Sequence, residues 1–154
     1  MSFIMMSEEP VSEKQFGEIR AGINYQARPA AYAVITDAGR RVAAVLSQSG
    51  YYFLPGGGSL DGETPEETIR REISEELART VRLLHKIGEA TQYFSVGEEH
   101  YRMRAVFYAA EFTGEPEGEA EYFLAWLGLQ ELEERFFHEC HVWAARQFLR
   151  LEEL

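Results

Sequence analysis

Apolar residues recur along this chain in two rhythms. From Gly22 to Leu54 they gather in short runs broken by turn residues, the pattern of strands. Gly22–Gln26, Ala30–Thr36 and Val42–Gln48 read as strands, and Asp37-Ala38-Gly39-Arg40 between the last two has hairpin composition. Tyr51–Leu54 is a short aromatic strand stopped by Pro55 and three glycines. The rhythm then changes. Ile69, Ile73 and Leu77 fall in one stripe at about 100° per residue, the signature of a helix with one side to bury. Thr64 is a good N-cap, Pro65 suits the first helical position and Glu67 completes a capping box, so the helix begins at Pro65 and is expected to run to about Ala78. Leu83–Ser95 and Arg102–Phe112 read as strands joined by a polar turn at Gly97–His100. Tyr122–Leu127 is another strand, while Gln130–Phe137 and Cys140–Leu151 read as helices. Strands around one central helix, closed by C-terminal helices, predict an α/β or α+β sandwich.

Composition narrows this picture. At 154 residues and 45% hydrophobic, the chain suits one packed domain, expected over residues 15–154 behind a loose tail of residues 1–14. A formal net charge of −11 disfavours a nucleic-acid polymer, which needs basic surface to displace counterions. A small phosphorylated ligand remains compatible with it, since a divalent cation can supply the missing positive charge. The lone Cys140 cannot close an intramolecular disulfide, which points to a reducing compartment, with the cytoplasm as the expected location. The first ten residues lack a basic region and a long apolar run, so no signal peptide is expected. No stretch approaches a membrane span.

Chemistry concentrates between Gly57 and Arg79. Glu72, Glu75 and Glu76 crowd roughly 100° of arc beside the apolar stripe of the helix. Like charges at that spacing repel, the more so when partly desolvated, and a hard cation with oxygen ligands removes the penalty. An ordinary solvated acidic face is the competing reading. The neighbourhood tips the balance, because Gly56, Gly57 and Gly58 can bring bare backbone N–H groups near phosphate oxygens directly before the carboxylate helix.

Gly57, Glu63, Arg71, Glu72, Ile73, Glu75 and Glu76 stand in the spacing Gly, five residues, Glu, seven residues, Arg-Glu-apolar-x-Glu-Glu. This segment resembles the Nudix box of the MutT-like Nudix hydrolases, covering 23 of the 154 residues. The resemblance implies an α/β/α sandwich with a mixed sheet and a central loop-helix motif. It also implies Mg²⁺-dependent hydrolysis of the diphosphate bond in a small nucleotide, with a nucleoside triphosphate-like substrate favoured and Mn²⁺ as an alternative metal. Glu72, Glu75, Glu76 and Gly57 are then placed at the metal, and the general base is Glu72 or a later loop glutamate, Glu119 or Glu121. Arg71 pairs with a box carboxylate, plausibly Glu63, against the alternative of a weak surface ion pair. Two positions depart from the family. Ala78 and Arg79 stand where Gly and an apolar residue usually end the box, so the helix either runs on toward Thr80 or ends under strain. Leu60 stands where relatives are often acidic.

Other candidates are weaker. His138 and His141, flanking Glu139 and Cys140, resemble a short metal cluster, against packed side chains at a helix start. Arg102 and Arg104 share one strand face and could meet phosphate, a base or neighbouring acids. The resemblance also makes Arg28, at the start of a strand where relatives often contact substrate, and an aromatic at Tyr93 or Phe94 candidate substrate contacts, together with Gly56 and Gly58. In the family that the box resembles, a proline downstream of the box marks some ADP-ribose hydrolases, so the resemblance, with no proline between Thr80 and Glu115, speaks mildly against that substrate. Homodimers occur among relatives, although no feature here identifies an interface. A non-catalytic nucleotide-binding or sensing module, and an interaction protein with a merely acidic surface, are the alternatives to an enzyme.

Overall fold

The structure, a computed structural model, describes residues 14–152. The tail expected over residues 1–14 therefore lies outside the described residues, except that Lys14 opens a strand. Eleven elements follow: β1 (Lys14–Phe16), β2 (Gln26–Val34), β3 (Val42–Leu46), β4 (Tyr52–Phe53), β5 (Gly56–Gly58), α1 (Pro65–Leu77), β6 (Thr80–Val96), β7 (Glu99–Thr113), β8 (Phe123–Leu127), α2 (Leu129–Arg135) and α3 (Glu139–Glu152). A mixed five-stranded sheet has the order β1-β6-β7-β2-β5, and a three-stranded sheet the order β4-β3-β8. β2 runs parallel to β7 and antiparallel to β5.

Period-two alternation on β2 builds two cores. Ala31 and Ala33 face one way and, with Ala43 and Val45, receive the Ile69, Ile73 and Leu77 stripe of α1. Tyr32 and Val34 face the other way and pack with Phe107, Met103 and the Cys140, Ala144 and Phe148 side of α3. The sheets are thus sandwiched between α1 and the C-terminal helices, the α/β/α arrangement expected. No helix among the described residues is long and apolar enough to cross a membrane.

Several boundaries differ from the sequence expectations. Residues 22–25 form no strand, and β2 starts at Gln26 where pairing with Tyr101 begins. The Asp37–Arg40 loop closes tightly, since Asp37 Oδ1 accepts from the Gly39 and Arg41 N–H groups. Its flanking strands nevertheless enter different sheets, and meet through the Thr36–Val42 bridge and the bonds from the Asp37 N–H to the Arg41 carbonyl and from the Ala43 N–H to the Ile35 carbonyl. The three glycines do more than stop a strand, because Gly56–Gly58 pair with Ala30–Tyr32 as β5. A Cβ on Gly56, whose φ is 138°, would lie 2.2 Å from the Ala31 carbonyl oxygen, so only glycine permits this approach.

The capping box at the start of α1 forms as expected, with Thr64 Oγ1 accepting from the Glu67 N–H and Glu67 Oε1 from the Thr64 N–H. At the other end the helix stops at Leu77. Ala78 adopts the left-handed conformation (φ 54°, ψ 38°) and its N–H bonds the Ser74 carbonyl, so of the two expected outcomes the strained end is the one realised. The Ala78→Gly substitution should relieve about 1 kcal/mol of this strain and raise the melting temperature by roughly 2–4 °C. Calorimetry showing a lowered melting temperature would refute the strain at this cap.

Candidate active site

Helix α1 presents its acidic edge to β5 and to the loop that connects them. Arg71 gathers that loop. Its Nε donates to Glu63 Oε2 at 2.6 Å, and its Nη2 donates to Glu63 Oε1 at 3.0 Å and to the Gly58 carbonyl at 2.9 Å. Its Nη1 reaches Glu72 Oε2 at 3.3 Å and Glu75 Oε1 at 3.5 Å. The pairing with Glu63 is the fork geometry that only a guanidinium offers a carboxylate. Glu63 also accepts from the Leu60 N–H and from the hydroxyl of fully buried Thr68, which contacts Ser59 Oγ as well. The Arg71 bond first, then the Leu60 N–H, hold the Glu63 carboxyl down to about 2. Thr68 escapes a sequence reading because a helical threonine beside apolar positions looks like ordinary packing. Its one available signal is that Thr64, Thr68 and Arg71 lie three and four residues apart, on one helix face with the loop.

The carboxylates expected at the metal differ in setting. Burial, foremost, pushes the Glu76 carboxyl up to about 8; its bond from the Gly56 N–H (3.3 Å) works against this, and Glu72, Glu75 and Glu121 add to the rise. Burial likewise raises Glu72, partly countered by Arg71. Its carboxylate fills the space over Gly57, where a Cβ would come within 2.7 Å of Glu72 Oε2. Glu75 is 56% exposed and turned toward Arg71. Among the described residues no three His, Cys, Asp or Glu side chains already converge on one point. Mutual repulsion and the pull of Arg71 on Glu75 account for the open arrangement. Hard carboxylate oxygens, two of them in surroundings that penalise uncompensated charge, are the donor chemistry that suits a divalent cation.

The carboxylates form one wall of a recess lined by Gly56–Gly58, Glu72, Glu76, Tyr122, Phe53, Tyr32 and Arg28. Arg28, Tyr32 and Phe53 also line a second cavity, of about 410 Å³, walled by Tyr51, Phe94, Tyr101, Phe137 and His138. Phe94 stacks on Tyr101 with ring centroids 5.1 Å apart and meets His138 edge-on at 4.6 Å. Tyr93, its neighbour in sequence, lies on the opposite face of the sheet with Arg102 and Arg104, where it packs against Tyr25. Glu119 sits away from the carboxylates in a depression with Ser74, Ala78 and Arg79. Glu121 precedes Tyr122, whose N–H bonds the Glu76 carbonyl. Leu60 is 60% exposed at the loop tip.

His138 and His141 are packed side chains. His141 is fully buried and its Nδ1 accepts the Leu54 N–H at 3.0 Å. Burial holds His138 at about 4 and His141 well below the ordinary range, so both rings are neutral. The Cys140 N–H donates to Gln92, which also contacts Glu139.

The profile of the NUDIX domain matches residues 26–151, which include the loop, α1, every strand but β1 and the aromatic cavity. The chain belongs to the NUDIX family. Its fold superposes on a MutT protein from Methanosarcina mazei Go1 with a TM-score of 0.66 at 18% identity, over 86% of this chain and 99% of that one. A MutT NUDIX hydrolase from Burkholderia pseudomallei gives 0.64 at 27% identity, over 79% and 98%. In sequence, an oxidized purine nucleoside triphosphate hydrolase of Danio rerio is 36% identical over 77 residues, 50% of this chain and 49% of that protein. The match thus spans about half the length of that relative.

The buried acid of this NUDIX chain has a consequence for stability. A carboxyl raised from 4.5 to about 8 stabilises the fold fully below about 4.5 and loses that contribution as pH rises through about 8, because the unfolded chain ionises first. Glu63 has the opposite sign, its contribution being present above 4.5 and lost as pH falls toward about 2. In metal-free protein, Glu76→Gln should therefore gain stability over the wild type progressively between about pH 4.5 and pH 8, the gain vanishing at the acid end. Melting curves of the two proteins that stay parallel across this interval would remove the buried-acid account.

Proposed function

We propose that this protein is a divalent-metal-dependent hydrolase of phosphoric anhydride bonds in small nucleotides, with nucleoside triphosphate-like substrates favoured. The observation that carries the reading is the adjacency of two recesses. A carboxylate-lined recess beside a glycine strand shares Arg28, Tyr32 and Phe53 with a neighbouring cavity that has aromatic walls, an arrangement that suits a ligand with a polyphosphate at one end and a flat base at the other.

Each residue has a distinct task. Gly57 and Gly58 give the diphosphate a backbone surface with no Cβ in the way. Glu72, Glu75 and Glu76 would hold Mg²⁺ or Mn²⁺, which when bound offsets phosphate charge and acidifies an attacking water. Glu72, a half-buried carboxylate with raised proton affinity, is the preferred base to take the proton of that water, with Glu121 as second choice. Arg71 and Glu63 are positioning residues: their paired hydrogen bonds keep the Gly58 carbonyl and Glu72 in register. Phe94 and Tyr101 offer stacking faces to the base.

Support also comes from family membership and from the hydrolase names carried by relatives. A phosphate-release panel of nucleoside triphosphates, nucleotide sugars, ADP-ribose and dinucleoside polyphosphates, run with and without Mg²⁺, tests the reading. Triphosphates should be cleaved only with metal, and Glu75→Gln and Glu76→Gln should reduce turnover to background while circular dichroism stays native. Wild-type binding of nucleotides without turnover of any of them would instead make the chain a nucleotide sensor.

A further inference from the structure

Resting on the reading that the aromatic cavity takes the base, we propose that Arg28 selects it, so that oxo bases are preferred over their amino counterparts. The cavity is lined by aromatic and apolar side chains, with hydroxyls on Ser49 and the tyrosines and the neutral ring of His138. Hydroxyls and a neutral imidazole can donate or accept. The Arg28 guanidinium can only donate, and among the described residues no carboxylate or carboxamide side chain lines the cavity to oppose it. A base carbonyl directed at this group accepts a charge-assisted hydrogen bond, and a 6-oxo purine offers its O6 and N7 together to the fork. An exocyclic amino group in the same place sets donor against donor and leaves a desolvated polar group unpaired.

The guanidinium is placed and available for this task. It lies 5.7 Å from the centroid of the Tyr101 ring, on the wall where Tyr101 stacks with Phe94, and makes no hydrogen bond or ion pair among the described residues. Its strand position alternates with residues of the opposite face, so Arg28 shares the cavity side with Tyr32 while Ala31 and Ala33 serve the α1 core. Arg28 also borders the carboxylate recess, since a Cβ on Gly58 would lie 3.3 Å from Arg28 Nη2. A purely phosphate-binding arginine is therefore the rival role, and it would make no distinction between bases.

Two substrate pairs separate these roles because each exchanges an oxo for an amino group, with the matching change of proton on the adjacent ring nitrogen, and leaves the phosphates alone: inosine against adenosine triphosphate, and uridine against cytidine triphosphate. Turnover with Mg²⁺ and binding with Ca²⁺ in its place are measured for the wild type and for Arg28→Met, which keeps much of the side-chain length and removes every donor. The wild type should prefer the oxo member of each pair by at least about tenfold, and Arg28→Met should bring both ratios close to one. Equal treatment of the pairs by the wild type overturns the proposal. So does a uniform loss over all four nucleotides in Arg28→Met with the ratios unchanged, which identifies a phosphate contact. Oxo-selective binding that depends on Arg28 without turnover upholds the proposal and refutes only the hydrolase reading. No binding and no turnover refutes both.

Discussion

The structure around α1 depends on one guanidinium. Arg71 is the positive charge placed among Glu63, Glu72 and Glu75, and it also ties the Gly58 carbonyl to the helix. Loop and helix are otherwise held together by the capping box at the helix start, by the Thr68 hydroxyl against Ser59 and Glu63, and by the Gly56 N–H to Glu76 bond. With Arg71 in place, the mutual repulsion of Glu63, Glu72 and Glu75 around the glycine strand is offset. Lysine could not substitute, since a single ammonium cannot fill a carboxylate fork and a backbone carbonyl together. The Glu63 carboxylate, held down to about 2, is the permanently charged partner of that fork. Glu76, pushed up to about 8, is the carboxylate left without such a partner.

That inequality separates two jobs along one helix. Residues toward its N-terminus are satisfied by donors within the protein: Glu63 by Arg71, Leu60 and Thr68, and Glu67 by the Thr64 N–H. Residues toward its C-terminus are under-satisfied, with Glu76 meeting a single long bond from Gly56 and Glu75 drawn outward. A site meant to receive a cation is expected to show such a gradient, because fully satisfied carboxylates would have to break bonds before binding it. The fold tolerates the unsatisfied end because Ile69, Ile73 and Leu77 bury the adjacent stripe completely or nearly so.

Features settled by local chemistry were readable in the sequence, and features settled by distant partners were not. The start of α1 follows from Thr64, Pro65 and Glu67 alone, and its apolar stripe from a spacing of four residues. The same holds for the in-register box residues. By contrast, β5 is three glycines with no strand pattern. Its existence depends on small residues at Ala30 and Ala31, which pair with Gly58 and Gly57 from 28 and 26 residues earlier in the chain, a relation that no local pattern encodes. β1 is likewise invisible, being three residues that pair in parallel with the middle of β6. Thr68 was missed for a related reason: its hydroxyl matters only because the loop folds back over it. The distinction between Tyr93 and Phe94 needed the register of β6 against β7, which pairs Tyr93 with Arg102 and Phe94 with Tyr101.

Strand β2 carries the geometric consequence furthest. Its alternation gives α1 a floor of small side chains at Ala31 and Ala33, and gives the aromatic cavity Arg28 and Tyr32. The close approach of Gly56 to the Ala31 carbonyl fixes β5 against the same strand, so Gly57 and Gly58 stand at a set distance from Arg28. The carboxylate edge and the aromatic cavity are therefore positioned by one rigid element rather than by two independent loops. A shift of β2 by one residue would reverse its faces, placing Arg28 and Tyr32 under α1 and the small alanines in the cavity. Neither core could survive that exchange, because Tyr32 would collide with a helix packed against alanine. The packing that stabilises the sandwich thus also fixes the separation between the carboxylates and the aromatic wall.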